Sequence, residues 1–399
     1  MRKTKSFPLL AAVAAATALA ATVSAAPAGA STQRSSAISC SGQLSIGMLA
    51  PLTGGAGFIG QEQLSWAKLA IKTLPKTMGL NVKLVLGDAP VEQGPSAAQT
   101  VAQKFIANKS MVAILGGSTS GSVAATSKSF QQAGLVQVSS SATNADLTKG
   151  DNQKATKAFF RVVPADDFQG PTDAKYMVDV LKAKNVAIID FQEPYSQGLA
   201  AQVEKSLKEA KITTSHQSIP NTVTDFSSYV TKVPSDADIV FFPSQKPGDA
   251  QAFAQQLVEQ GKKAKVFGGD GTNGPGAFKA TGAYVSNFAP QIDTIAADKA
   301  IIAAWKKDNP GKSLGSFGPP TYGAVQVLLM AIKGACDKGK GSIVARGAVI
   351  QNVKKVVVPD GKWILGGKFE WSKVNTNDPN TSKYYIMQIQ SNGTYKVVN

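Results

Sequence analysis

The chain has 399 residues, 43% hydrophobic and 17% charged, with 42 Lys and Arg against 26 Asp and Glu and a formal net charge of +16. That apolar content excludes a disordered chain, and the length predicts about two globular domains. The basic surplus does not point to nucleic acid, because lysines and acids are interspersed, as in Glu204, Lys205, Lys208, Glu209 and Lys211; a solvated face, loosely attractive to anionic polymers, is expected instead.

Residues 1 to 30 read as a secretory leader. Arg2, Lys3 and Lys5 precede an Ala/Leu/Val stretch from Leu9, which closes on the small residues Ala28, Gly29 and Ala30. No second apolar run of membrane-spanning length follows, so an exported protein is expected, in the periplasm or on the outer face of the cell membrane. A retained anchor helix is the rival reading, weakened by the dominance of alanine. Cys40 and Cys336 are the two cysteines. An oxidising compartment allows a disulfide between them, while lipidation of Cys40 and two free thiols are the alternatives.

From residue 43, short apolar runs alternate with amphipathic segments. Runs at 44 to 50, 82 to 88, 111 to 116 and 135 to 139 predict buried parallel strands, with helices over 61 to 74, 95 to 108 and 119 to 133 between them. The rhythm repeats with strands at 185 to 191, 212 to 218, 237 to 242 and 264 to 269 and helices near 195 to 210 and 248 to 261. Three helices, 293 to 308, 320 to 337 and 342 to 355, then precede short strands near 363 to 371, 383 to 390 and 394 to 398. The fold class predicted is α/β, two doubly wound parallel-sheet lobes. The first lobe takes residues 43 to 162 and 289 to 360, the second 163 to 288 and 361 to 399.

Ligands of such sheets bind beyond the carboxyl ends of the strands. The segments there are APLTGGAGFIG (50 to 60), GGSTSGS (116 to 122), SSSATNADLT (139 to 148), FQEPYSQG (191 to 198) and GGDGTNG (268 to 274). They supply hydroxyls, backbone amides, the aromatic Tyr195 and the carboxylate of Asp270, but no obvious catalytic base. The only histidine, His216, falls in a strand with alternating polar residues, which predicts a cross-strand or surface position rather than a triad. PGKS at 310 to 313 lacks the earlier glycine and strand of a phosphate loop, GGSTSGS lacks the dinucleotide spacing, and DGTN lacks the alternating acids of a calcium loop. No catalytic residue, metal or cofactor is therefore expected. Ser120 with nearby amides at a helix start suits an anion, and Asp270 across a cleft suits a cation. Carboxylate at one place and ammonium at the other describe an amino acid.

Nearly the whole mature length also resembles the type I periplasmic solute-binding proteins of ABC transporters, the leucine/isoleucine/valine-binding group in particular. The pieces that carry the resemblance are IGMLAPLTG with the following Gly60, ILGGSTSGSVAATS, SSSATNADLT, FFRVVPADDFQGPTDAKY, the YSQG after a strand and FGGDGTNG, in the family's order. It implies two lobes joined by a three-crossover hinge, closing on a small-molecule ligand without chemical change, and a monomer that serves permease subunits. It also implies that Ser120 binds the ligand carboxylate, that Ser141 and Ala142 offer backbone groups, that Thr143 contacts both ends, that Tyr195 closes over the ligand and that Asp270 pairs with the α-ammonium. Phe58-Ile59, in the first loop, and Gln245, in FFPSQKPGD, stand where relatives often place an aromatic against the ligand, and Ala89 and Thr119 stand about where some relatives have the cysteines of a short disulfide. A branched-chain or other aliphatic amino acid is the expected ligand. An amide, a urea-like compound or an aromatic acid on the same fold is the alternative, with a cryptic hydrolase or a polyanion-binding protein behind it.

Overall fold

The computed structural model describes residues 37–149 and 157–399; the leader expected over 1 to 30 lies outside them. After a short strand β1 (Ile38–Ser39), the first sheet comprises β2 (Leu44–Ala50), β3 (Val82–Asp88), β4 (Met111–Gly116), β5 (Val136–Ser139) and β6 (Phe159–Arg161). All pair in parallel, in the order β3-β2-β4-β5-β6. Strands β2 and β4 are buried along their whole length, which is why they read as unbroken apolar runs rather than as alternation. Helices α1 (Gly57–Thr77), α2 (Gly94–Ala107) and α3 (Ser120–Gln132) connect them.

The chain then leaves through α4 (Asp166–Asp179) for a second sheet. There β7 (Asn185–Phe191), β8 (Thr213–Ile219), β9 (Ile239–Phe241), β10 (Lys265–Gly268) and β11 (Tyr284–Asn287) are parallel, with α5 (Pro194–Glu209), α6 (Ser227–Thr231) and α7 (Pro247–Glu259) between them. The chain next packs α8 (Lys299–Asp308), α9 (Gly318–Lys338) and α10 (Gly347–Val353) into the first core, with β12 (Ser342–Ile343) pairing antiparallel to β1. It finally crosses again to add β13 (Tyr385–Ile389) and β14 (Tyr395–Val397), antiparallel, at the edge beside β11. The sheet order β14-β13-β11-β10-β9-β7-β8 completes the α/β architecture read from the strand rhythm.

Three elements escape that rhythm. Strands β6 and β11 are three and four residues long, too short for periodicity. Helix α4 buries polar residues among its apolar ones: Asp166, Gln169 and Asp173 are wholly enclosed, beside the buried Ala174, Tyr176 and Met177. The strand expected over 363 to 371 is not formed. Isolated bridges Val358 to Phe369 and Trp371 to Pro379 take its place, because Gly366 and Gly367 both have φ in the left-handed region, which breaks extended backbone. Trp363, Phe369 and Trp371 on this segment, sequence-assigned to the second lobe, are buried in the first core.

The first core is anchored by Trp66 of α1, stacked on Trp305 of α8 at 5.1 Å between ring centroids. The second centres on edge-to-face phenylalanines, Phe191, Phe226 and Phe242. Cys40 and Cys336 are disulfide-bonded, which ties β1 to α9 beside the β1 to β12 pair. Gly60 lets α1 pass tightly over the preceding loop, since a Cβ there would lie 2.1 Å from the Pro51 carbonyl oxygen. Gly60→Ala is expected to lower stability by about 2 kcal/mol, measured by denaturant titration; an unchanged midpoint would show that the loop yields freely.

Candidate functional site

At the start of α3, Thr119 is the N-cap: its Oγ1 accepts from the Ser122 amide at 3.2 Å. That places Ser120 in the first helical turn with its side chain toward the loop after β5. Its Oγ accepts from the Asn144 amide at 3.2 Å. The β5 loop is itself tightly bonded. Ser141 Oγ donates to the Ser118 carbonyl at 2.6 Å, and the Ser141 and Ala142 amides both reach Ser139 Oγ. The backbone donors expected from Ser141 and Ala142 are thus already engaged within the loop. Thr143 differs: its hydroxyl is fully buried and has no hydrogen-bond partner among the described residues.

Opposite stand residues of the second lobe. The Tyr195 hydroxyl donates to Asp270 Oδ1 at 2.9 Å and accepts from the Gly271 amide at 3.0 Å. Glycine at 271 is required by this approach, since a Cβ would lie 2.6 Å from the Ser244 carbonyl and 2.9 Å from the Tyr195 ring. Burial pushes the Asp270 carboxyl up to about 6, while Tyr195, Gln169 and nearby amides favour its ionised form. The two lobes meet here, for Asn144 Nδ2 donates to the Pro194 carbonyl at 2.5 Å.

Helix α4 supplies what sequence reasoning missed. Asp166, Gln169 and Asp173 recur at the spacing of one helical face, and that face is buried. The Asp166 amide donates to the Thr143 carbonyl at 2.8 Å. Burial first, then the charge of Asp270, holds the Asp166 carboxyl well above the usual carboxylate range. Burial does the same to Asp173, whose Oδ2 accepts from Ser286. The Thr143 hydroxyl lies against Asp166 without completing a hydrogen bond, and both Asp166 oxygens are unpartnered among the described residues. A polar stripe at positions i, i+3 and i+7 was the available signal.

Arg161, at the end of β6, is the second omission. It is fully buried, donates to Asp378 Oδ1 at 2.7 Å, and its remaining nitrogens reach the carbonyls of Ala142 and Asn144 and the Thr148 hydroxyl. It fixes the loop that carries Thr143. Ile59 is buried with Val163, Phe288, Phe317 and Tyr384. Gln245 is half-buried at the edge of a cavity between the lobes.

His216 is remote from these groups. On β8 its ring nitrogens meet Asp190 of β7 at 2.5 Å and Glu204 of α5 at 3.0 Å. The Asp190 bond, then Glu204, raises its pKa against partial burial. A raised histidine contributes stability that is fully present below its ordinary value and is lost as pH rises through the folded one. The melting temperature is expected to fall more between pH 6 and 8 in the wild type than in His216→Gln; parallel curves would discard the contribution.

The arrangement offers hydroxyls and a helix start on one side and a concentration of buried carboxylates on the other. No cluster of three or more metal-ligating side chains occurs among the described residues, and no described helix is long and apolar enough to cross a membrane. A family model described as periplasmic binding protein matches residues 43–394. An amino acid binding protein of Pseudomonas aeruginosa is 28% identical over 364 residues, covering 88% of this chain and 91% of that one. A leucine-specific-binding protein of Salmonella typhimurium is 27% identical over 341 residues, covering 82% and 90%. The crystal structure of a leucine-binding protein from Thermotoga maritima matches with a TM-score of 0.78 at 21% identity, over 89% of this chain and 98% of that one, a likeness of fold.

Proposed function

The chain belongs to the periplasmic binding protein family, and from that premise we propose that it captures an α-amino acid, aliphatic or branched-chain, outside the cytoplasm and delivers it to the permease subunits of an ABC transporter. The observation that carries this reading is the set of buried polar groups facing one another across the lobes. Thr143 and Asp166 have unpartnered oxygens, and Asp270 is held only by neutral donors. A buried carboxylate without a cation is costly, and a ligand ammonium supplies that cation. Ser120, Thr143 and the amides at the start of α3 supply the complement for the ligand carboxylate. The names of the amino-acid-binding and leucine-specific relatives agree with this class of ligand.

Binding proceeds by hinge closure. The first lobe holds the ligand's carboxylate, and Tyr195 and Asp270 then stabilise the closed form, whose added contacts shift the population toward it. No bond is made or broken in this cycle: the protein works as a carrier, not an enzyme. The test is to unfold and refold residues 31 to 399, so that carried-over ligand is removed, and record melting shifts. Leucine, isoleucine or valine at about a hundred times its dissociation constant should add roughly 2.7 kcal/mol of stability. No shift with any α-amino acid would discard the ammonium role of Asp270.

A further inference from the structure

Asn144 follows Thr143 in the loop after β5 and is buried, with all of its polar atoms engaged. Its amide donates to Ser120 Oγ at 3.2 Å, its carbonyl accepts from Arg161 at 2.8 Å, and its Oδ1 accepts from the Asp146 amide at 2.9 Å. Those partners belong to the first lobe. They also orient the side chain, because with Oδ1 held by Asp146 the Nδ2 donor has to face away from that loop. It faces the second lobe, where it donates to the carbonyl of Pro194, the first residue of α5.

The second lobe is shaped to receive it. In a helix each Cβ leans toward the N-terminus, so the side chain at position i+4 covers the flank of residue i. Four residues after Pro194 comes Gly198, inside α5. A Cβ there would lie 2.3 Å from Asn144 Nδ2 and 3.0 Å from Asn144 Cγ, and apart from the backbone of α5 its three nearest atoms would all be those of Asn144. Glycine within a helix costs stability relative to alanine, and the asparagine of the opposite lobe accounts for it here. Tyr195, whose hydroxyl meets Asp270, follows Pro194, and Glu193 accepts from the Tyr195 and Ser196 amides. The contact therefore grips the turn of α5 that aims Tyr195.

We propose that Asn144 is a latch for the closed form, a positioning residue that ties the Ser120 end of the site to the Tyr195 end and acts through those two residues rather than on the ligand. This rests on the amino-acid reading and the hinge closure above, and it adds the side chain that couples the lobes. A ligand carboxylate that orders Ser120 orders the Asn144 amide with it, and the Asn144 side chain seats against Gly198 once the lobes meet. A bond made after encounter slows release rather than speeding capture.

Stopped-flow and calorimetric titration of refolded protein with leucine test the latch in two variants. Asn144→Ser keeps a hydroxyl that can accept from the Asp146 amide but is too short to reach Pro194, and Gly198→Ala fills the seat. Each is expected to speed leucine release roughly tenfold, with association within about twofold of wild type. The double variant is expected to match either single one, because the added methyl then meets no asparagine. Ligand-free Gly198→Ala is expected to melt no lower than wild type, since alanine suits a helix better than glycine; a contact needed for folding would lower the melting temperature instead. Release unchanged in both single variants, or effects that multiply in the double, would overturn the latch and leave the amino-acid reading intact. A wild-type protein that binds no α-amino acid would overturn that reading, and the latch is then judged by Asn144→Cys combined with Gly198→Cys. A crosslink between the two on mild oxidation upholds it, and failure to crosslink overturns it.

Discussion

Asp270→Ala is expected to weaken leucine binding by roughly 10²-fold, about 2.7 kcal/mol, and by no less than tenfold, while the protein remains folded. The size follows from the site's dryness. Asp270 is 2% exposed, and its hydrogen-bond partners are the neutral Tyr195, Gln169 and backbone amides. Removing the carboxylate leaves a buried ammonium without its counter-charge. Titration calorimetry at pH 7.5 measures the change, and an affinity within threefold of wild type would sink the assignment. Asp270→Asn gives a second readout. It keeps an oxygen for the Tyr195 hydroxyl but removes the charge, so the empty protein should melt at a higher temperature even as binding is lost.

The same carboxylate gives opposite pH trends for the empty and the filled cleft. Its folded pKa of about 6 lies above its ordinary value of 3.8. Its contribution to the stability of the empty protein is therefore fully present below 3.8 and is lost as pH rises through about 6. Binding runs the other way, because the ammonium needs the ionised form. Leucine affinity should fall as pH drops from 7 to 5, by roughly tenfold for each unit below 6. Asp270→Asn should flatten that dependence, and a wild-type affinity constant between pH 7 and 5 would separate Asp270 from the ammonium. The ionisation that destabilises the empty cleft is the one that recruits the ligand.

Legibility in the sequence followed burial chemistry. β2, β4 and β7 are apolar runs because both of their faces are covered, and those strands and their helices were readable to within a few residues. Tyr195 and Asp270 were readable because each sits just beyond a strand end. Helix α4 was not, and for a physical reason. Its enclosed face mixes Asp166, Gln169 and Asp173 with Ala174, Tyr176 and Met177, so its apolar period is interrupted. Arg161 was hidden differently: it ends an apolar run, FFR, and its role depends on Asp378, which lies 217 residues away in the chain.

Arg161→Met is expected to lower stability by about 3 kcal/mol, because it leaves the buried Asp378 carboxylate with only the more distant Lys149 ammonium, at 3.7 Å, and the neutral donors Thr148 and Asn375. The side chains of Arg161 and Asp378 are 0% and 6% exposed, so solvent does little to screen the loss. The pair also joins two of the chain's passages between lobes, Arg161 at the end of β6 and Asp378 on the segment leading to β13. Tyr384 strengthens that junction by donating to the Pro164 carbonyl at 2.9 Å. The double variant Arg161→Met with Asp378→Leu should recover much of the stability, since an apolar pair of similar volume often replaces a buried ion pair without loss. It should not recover leucine binding. The carbonyls of Ala142 and Asn144 lose their guanidinium donor in either variant, and those carbonyls hold Thr143 in place between them. Denaturant midpoints measure the first effect and calorimetry the second. Recovery of both together would reduce Arg161 to a structural partner of Asp378, whereas recovery of stability alone would make it the residue that positions the loop for the ligand.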